Sequence, residues 1–93
     1  MTETEEETLL EEEVDISDAL TPRLVVFNDD VNSFGHVIYC FMIILHMSQT
    51  QAEQCAMIIH ERGKYIVKNG SRDDLKPYCE ALVEEAIDAR IID

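Results

Sequence analysis

The chain has 93 residues, and its 20 acidic against seven basic side chains give a formal net charge of −13. A chain of this length supports one domain with one core. Nucleic acid and anionic lipid carry charge of the same sign and would be repelled at long range, so we exclude both as general partners. The hydrophobic share of 46% is that of a globular domain, so the acidic charge must be concentrated outside the core.

The N-terminal segment carries most of this charge. Nine acids and no Lys or Arg lie between Met1 and Pro22, so this segment accounts for −9 of the −13 and leaves −4 for the remaining chain. A like-charged segment with few aliphatic residues buries too little surface to offset its ordering entropy. We therefore expect residues 1–20 to form an acidic disordered tail and residues 21–93 to form the folded domain.

Targeting signals are not evident in the sequence. The first residues are acidic and lack a basic segment followed by an apolar one, so we do not expect a signal peptide. No apolar run reaches the roughly 18 residues that a membrane span needs. The sequence therefore predicts a soluble, cytoplasmic protein with no membrane partner.

The three cysteines have no disulfide or metal pattern. Cys40, Cys55 and Cys79 are an odd number within apolar segments, which is typical of free thiols in a reducing compartment. His36 and Cys40, one helical turn apart, come nearest to a pair of metal ligands, and two ligands do not make a zinc site. We expect no metal and no cofactor.

The first half of the domain is predicted to contain a strand and two helices. The apolar run Leu24–Phe27 predicts a strand, because the turn-forming residues Asn28–Asp30 follow it. Apolar residues then recur at the spacing of one helical face over 34–46, which predicts the first helix. A second helix is predicted over 50–62, since Ser48 and Gln51 have capping-box spacing and Gly63 suits a left-handed helix end.

The second half is predicted to contain a strand, a helix and a further short strand. Residues 64–68 lie between Gly63 and the turn dipeptide Asn69-Gly70, which predicts a strand. The third helix is predicted over 74–89, so that Pro77 falls in the first turn, and residues 91–92 suggest an edge strand or packed tail. The order β-α-α-β-α-(β) predicts a small α+β domain with three helices packed on one face of a short antiparallel sheet.

The residues Asn28, Asp29 and Asp30 group two carboxylates and an amide at the end of the first strand. This set of acceptors suits a cation, and the same residue types also build ordinary turns. A calcium loop beginning at Asp30 is disfavoured, because Phe34 and Phe41 stand where oxygen ligands are needed. A hydrolase using Asp29 or Asp30 with His60 has no recognisable nucleophile or phosphate-binding loop, so we expect no enzymatic activity.

Two segments together resemble a known family. Leu24–Asp30, an apolar helix and then Met57–Lys64 closely resemble the ClpS-type adaptors of bacterial AAA+ unfoldase-protease machines, over about residues 23–89. The resemblance implies an adaptor that binds proteins bearing destabilising, large hydrophobic N-terminal residues (N-degron substrates). It also implies docking on the N-terminal domain of a Clp-family unfoldase. The alternative is a non-catalytic interaction module resembling the C-terminal domain of the ribosomal stalk protein, which would need an exposed basic helix.

The resemblance also implies a binding site. The α-amine of the substrate would contact Asn28, Asp29, Asp30 and His60, with Asp30 holding the turn and touching the substrate backbone. The first side chain of the substrate would enter a hydrophobic pocket formed by Asn32, Phe34, Val37, Ala56, Met57 and Ile59. Phe34 replaces a methionine that is usual in the family, which is expected to alter the ranking of Phe, Tyr, Trp and Leu N-termini.

Overall fold

The structure, a computed structural model, describes residues 21–93, and the expected acidic tail at residues 1–20 lies outside the described residues. The described chain contains three strands and three helices in the predicted order β-α-α-β-α-β, which confirms the α+β fold class. These elements are β1 (Arg23–Phe27), α1 (Phe34–Ile44), α2 (Gln49–Arg62), β2 (Lys64–Asn69), α3 (Arg72–Glu84) and β3 (Ala89–Ile92).

The strands form one antiparallel sheet in the order β2-β1-β3. The central strand β1 is the most buried, with Leu24, Val25 and Val26 at most 3% exposed. Leu24 and Val26 belong to the core that lies between the sheet and the helices. Because side chains alternate along a strand, Val25 faces the opposite side, where it pairs with Ile66 of β2 and Arg90 of β3.

Each helix begins at a serine cap. The hydroxyls of Ser33, Ser48 and Ser71 accept hydrogen bonds of 3.1–3.2 Å from the backbone N–H three residues later, which satisfies an otherwise unpaired donor. The predicted capping box of Ser48 and Gln51 is present. Gly63, with φ of +91°, ends α2 in the left-handed conformation as predicted.

The third helix differs from its prediction at both ends. The cap at Ser71 starts α3 at Arg72, so Pro77 lies inside the helix beyond its first turn. The helix ends at Glu84, because the next turn is left-handed at Ala86, with φ of +66°. The N–H groups of Ala86 and Ile87 donate to the carbonyls of Val83 and Leu82, which closes the helix, and the chain then enters β3.

The core is formed by one side of the sheet and the inner faces of the helices. Phe41, Leu75 and Leu82 are fully buried there and come from α1 and α3, while Ala52 and Ile59 come from α2. Within residues 21–93, every helix is too short or too polar to span a membrane. The packing leaves a depression where the C-terminal end of β1 meets the first turns of α1 and the last turns of α2.

Candidate functional site

This depression is a cavity of about 430 Å³ with a polar mouth and a mainly apolar wall. The strand end supplies the polar residues, and the two helices supply most of the apolar ones. All the site residues predicted from the sequence line it except Met57, whose side chain lies on α2 and is 45% exposed. The lining residues are Val26, Phe27, Asn28, Asp29, Asp30, Asn32, Phe34, Val37, Ala56, Ile59, His60 and Ile87.

Asp29 holds the loop between β1 and α1. Its Oδ1 atom accepts hydrogen bonds from the backbone N–H groups of Val31 (2.9 Å) and Asn32 (2.8 Å), and its Oδ2 atom accepts one from the Asn32 side-chain amide (3.1 Å). The Asn32 N–H contributes most to lowering the pKa of Asp29 below its usual 3.8, so the carboxylate is ionised at neutral pH. Asp29 thus has the turn-holding role that the resemblance gave to Asp30.

Asn32 connects this loop to the far wall of the cavity. Besides its bonds to Asp29, its Nδ2 atom donates to the Ala86 carbonyl at 2.8 Å. Ala86 belongs to the turn that ends α3, and the next residue, Ile87, lines the cavity. The sequence predicted Asn32 as part of a hydrophobic pocket. In the structure its side chain hydrogen-bonds to both the β1–α1 loop and the turn after α3, and so holds these two parts of the cavity together.

The mouth of the cavity carries polar side chains that are available to a ligand. Asn28, Asp30 and His60 are exposed, and their side chains make no hydrogen bond to residues 21–93. The backbone fixes their placement, since the Asn28 N–H donates to the Gly63 carbonyl at 2.8 Å and so joins the end of β1 to the end of α2. Together with ionised Asp29, these residues surround the mouth with hydrogen-bond acceptors and negative charge.

Phe34 and His60 form a contact across the same mouth. Their ring centroids are 5.5 Å apart with planes at 77°, an edge-to-face arrangement. Phe34 begins α1 and is 43% exposed, whereas His60 lies near the end of α2. The pair therefore bridges the two helices that flank the cavity, between its polar mouth and its apolar wall.

Three lining residues were not predicted from the sequence. Val26 and Phe27 belong to the strand that ends at the site, and Ile87 comes from the turn after α3. The sequence prediction placed Ile87 inside the third helix, and only the helix end at Glu84 brings it to the cavity. Val26 and Phe27 directly precede Asn28–Asp30 in the sequence, and this was the one signal that could have indicated them as lining residues.

Comparisons with known proteins agree on one family. The family model described as "ATP-dependent Clp protease adaptor protein ClpS" matches residues 21–90. The ATP-dependent Clp protease adapter protein ClpS of Corynebacterium diphtheriae is 36% identical over 64 residues, which cover 69% of this chain and 57% of that protein. The ClpS of Streptomyces coelicolor is 31% identical over 58 residues, which cover 62% of this chain and 60% of that protein. The aligned part of the chain thus spans less than two thirds of these curated relatives.

A solved structure shares the fold. The structure of Agrobacterium tumefaciens ClpS2 bound to L-phenylalaninamide superposes with a TM-score of 0.71 at 20% sequence identity. The match covers 77% of this chain and 94% of that chain. The arrangement of helices and sheet is therefore common to the two proteins.

Proposed function

Because the chain belongs to the ClpS family of Clp protease adaptors, we propose that it binds proteins through a large hydrophobic N-terminal residue and delivers them to a Clp-type AAA+ unfoldase. ClpS proteins are adaptors and not enzymes, so the site is expected to bind its ligand without chemical change. The observation that carries the proposal is a single cavity that has hydrogen-bond acceptors and negative charge at its mouth and apolar residues behind them.

The mouth of the cavity suits an N-terminal ammonium group. Such a group has three hydrogen-bond donors and one positive charge. On the main chain only the first residue carries it, because every later backbone nitrogen is part of a peptide bond. Ionised Asp29 and the carboxylate of Asp30 supply charge, while the Asn28 amide oxygen and an imidazole nitrogen of His60 can accept hydrogen bonds. We assign the recognition of the substrate α-amine to these four residues.

The wall of the cavity suits the first side chain of the substrate. Val37, Ala56 and Ile59 form an apolar surface, and the small Ala56 leaves room for a large guest. Burying one large apolar side chain is worth about 2 to 3 kcal/mol, and losing one partner of a desolvated charge pair costs about 2 to 5 kcal/mol. At their upper limits the two contributions add to about 8 kcal/mol, which corresponds to roughly micromolar affinity.

The ligand of the similar structure has the same two features. L-phenylalaninamide, which is bound to the Agrobacterium tumefaciens protein, combines a free α-amine with an aromatic side chain. It is therefore the smallest mimic of a polypeptide that starts with Phe. Phe34 contacts His60 edge to face between the polar mouth and the apolar wall of the cavity, so Phe34 is expected to influence which aromatic or aliphatic residue fits best.

Binding of substrates is tested with full-length protein and fluorescent peptides that begin with Phe, Leu or Gly and are otherwise identical. Anisotropy titrations should show micromolar binding of the Phe and Leu peptides and at least about tenfold weaker binding of the Gly peptide, equivalent to 1.4 kcal/mol. Equal affinity for all three would refute the proposed specificity. Glu61→Gln is the matched control, since this exposed acid is next to His60 and does not line the cavity.

Delivery is tested separately from binding. We propose that the acidic segment 1–20 aids transfer to the unfoldase, whose N-terminal domain is the proposed docking partner. A variant with the nine acids of this segment changed to their amides keeps the chain length and should bind the Phe peptide as the wild type does. It should deliver a Phe-starting substrate more slowly in a reconstituted unfoldase-protease degradation assay, and an unchanged rate would refute this role.

A further inference from the structure

A second polar cluster lies outside the cavity, between α1 and the C-terminal end of α3. The Nε2 atom of His36 lies 3.6 Å from Cys40 Sγ and 3.8 Å from Glu85 Oε1. One possible ligand atom from each of these three side chains lies within 4.8 Å of the other two. In residues 21–93 this is the only group of three His, Cys, Asp or Glu side chains with such close ligand atoms. Sequence spacing paired His36 with Cys40, and the fold adds Glu85 from a distant part of the chain.

We propose that His36, Cys40 and Glu85 bind a zinc ion, with solvent in the fourth position. Cysteine sulfur, imidazole nitrogen and carboxylate oxygen are the ligands that zinc prefers. Tetrahedral zinc with usual bond lengths places a sulfur and a nitrogen ligand about 3.5 Å apart, and the Sγ–Nε2 distance of 3.6 Å agrees with this spacing. Magnesium and calcium fit poorly, because they need octahedral or larger shells of oxygen.

Charge balance is consistent with zinc at this position. The Cys40 thiolate and the Glu85 carboxylate together neutralise a divalent cation. Cysteine ligates zinc as the thiolate, so the buried Cys40 thiol loses its proton when the ion binds. Zinc binding therefore breaks the S–H bond, forms an S–Zn bond and releases one proton to solvent.

The imidazole of His36 must also change its proton position. A carbonyl oxygen only accepts hydrogen bonds, so the contact of 2.9 Å between Nε2 and the Glu85 carbonyl needs a proton on Nε2. Binding requires the tautomer with the proton on Nδ1, which leaves Nε2 free to ligate. The zinc ion then replaces the N–H···O hydrogen bond as the link between α1 and the end of α3.

The location gives this link a structural consequence. Glu85 precedes Ala86, whose carbonyl accepts the hydrogen bond from Asn32, and Ile87, which lines the cavity. Zinc would therefore fix the turn that forms one wall of the cavity. The proposal does not depend on what the cavity binds, because its ligands are separate from the cavity residues.

Metal titrations of the reduced, full-length protein test the proposal. Cobalt(II) bound to the Cys40 thiolate should give a sulfur-to-cobalt charge-transfer band that saturates at one equivalent and is lost when zinc is added. Zinc should also raise the Tm, since it binds the folded state. Cys40→Ala should abolish the band, and His36→Ala and Glu85→Gln should each weaken cobalt binding at least about tenfold.

Control variants separate this site from other modes of binding. Cys79→Ala removes a different partly buried thiol and should leave the band unchanged. Glu85→Gln changes a half-exposed side chain, so its effect does not depend on whether Cys40→Ala folds. The proposal would be overturned by a charge-transfer band that survives Cys40→Ala. It would also be overturned if cobalt bound without such a band and this binding survived all three substitutions. The latter would show binding by the many surface carboxylates alone.

Discussion

Asp29 offers the sharpest test of the cavity, because its carboxylate has two separable roles. It accepts hydrogen bonds from the N–H groups of Val31 and Asn32, which shape the loop, and it carries a negative charge at the cavity mouth. Asp29→Asn removes the charge and keeps one oxygen that can accept both backbone bonds. Asp29→Ala removes both roles and would confuse loss of the loop with loss of the charge.

The expected magnitude follows from the position of the carboxylate. An ammonium group about 4 Å from a carboxylate gains about 4 kcal/mol at an effective dielectric constant of 20 and about 1 kcal/mol in water. Asp29 is partly exposed at the mouth, so an intermediate loss of about 2 kcal/mol, roughly 30-fold in Kd, is expected for Asp29→Asn. The cost in stability is limited to about 1 kcal/mol, since the lost bond is the one from the Asn32 amide to Oδ2.

The assay combines peptide anisotropy with thermal unfolding of the same samples. Asp29→Asn should lose affinity for the Phe peptide while unfolding cooperatively within several degrees of the wild type. Glu61→Gln, which removes an equal charge nearby but outside the cavity, should keep wild-type affinity. Wild-type binding by Asp29→Asn, or an equal loss in Glu61→Gln, would refute a direct interaction between Asp29 and the amine.

Three further predictions concern the ligand, the cavity and the fold. Peptide affinity should fall about tenfold per pH unit above pH 8, because an α-amine of pKa about 7.7–8.0 loses its charge while Asp29, with its lowered pKa, stays ionised. A peptide affinity that stays constant up to pH 10 would contradict amine recognition. Ala56→Leu should weaken binding of the Phe peptide at least about tenfold by filling the wall, with a stability cost of about 1 to 3 kcal/mol; anisotropy and thermal unfolding measure the two effects. Ala86→Gly should raise the free energy of unfolding in urea by about 1 kcal/mol, because glycine adopts the φ of +66° at this position more readily than alanine. Gly63→Ala should lower it by a similar amount, because Gly63 has φ of +91°. Changes of the opposite sign would contradict left-handed strain at the ends of α3 and α2.

The sequence predicted most of the fold because its local signals agree with the tertiary structure. Helical periodicity placed α1, and the capping box of Ser48 and Gln51 together with Gly63 placed α2, each to within two residues of its observed ends. The end of α3 could not be predicted in this way, since a left-handed helix end is usually marked by glycine and here falls on Ala86. That end depends on the return of the chain to β3, which is a tertiary constraint.

The sequence indicated which residues line the candidate site better than it indicated what each of these residues does there. The resemblance named residues that the fold brings around one cavity, but hydrogen-bond partners are set by the loop conformation. Asp29 and Asn32 proved to be bonded to each other, and Asn32 to Ala86, which no spacing rule indicates. Glu85 likewise joins His36 and Cys40 only because α3 ends beside α1.

The most direct test of the central claim is the effect of acetylation on one peptide. The claim is that the cavity binds a charged N-terminal amine together with the side chain next to it. Anisotropy titration of the wild-type protein should give roughly micromolar affinity for a Phe-starting peptide, and at least about tenfold weaker affinity for the same peptide acetylated at its N-terminus. Equal affinity for the free and the acetylated peptide would contradict the claim.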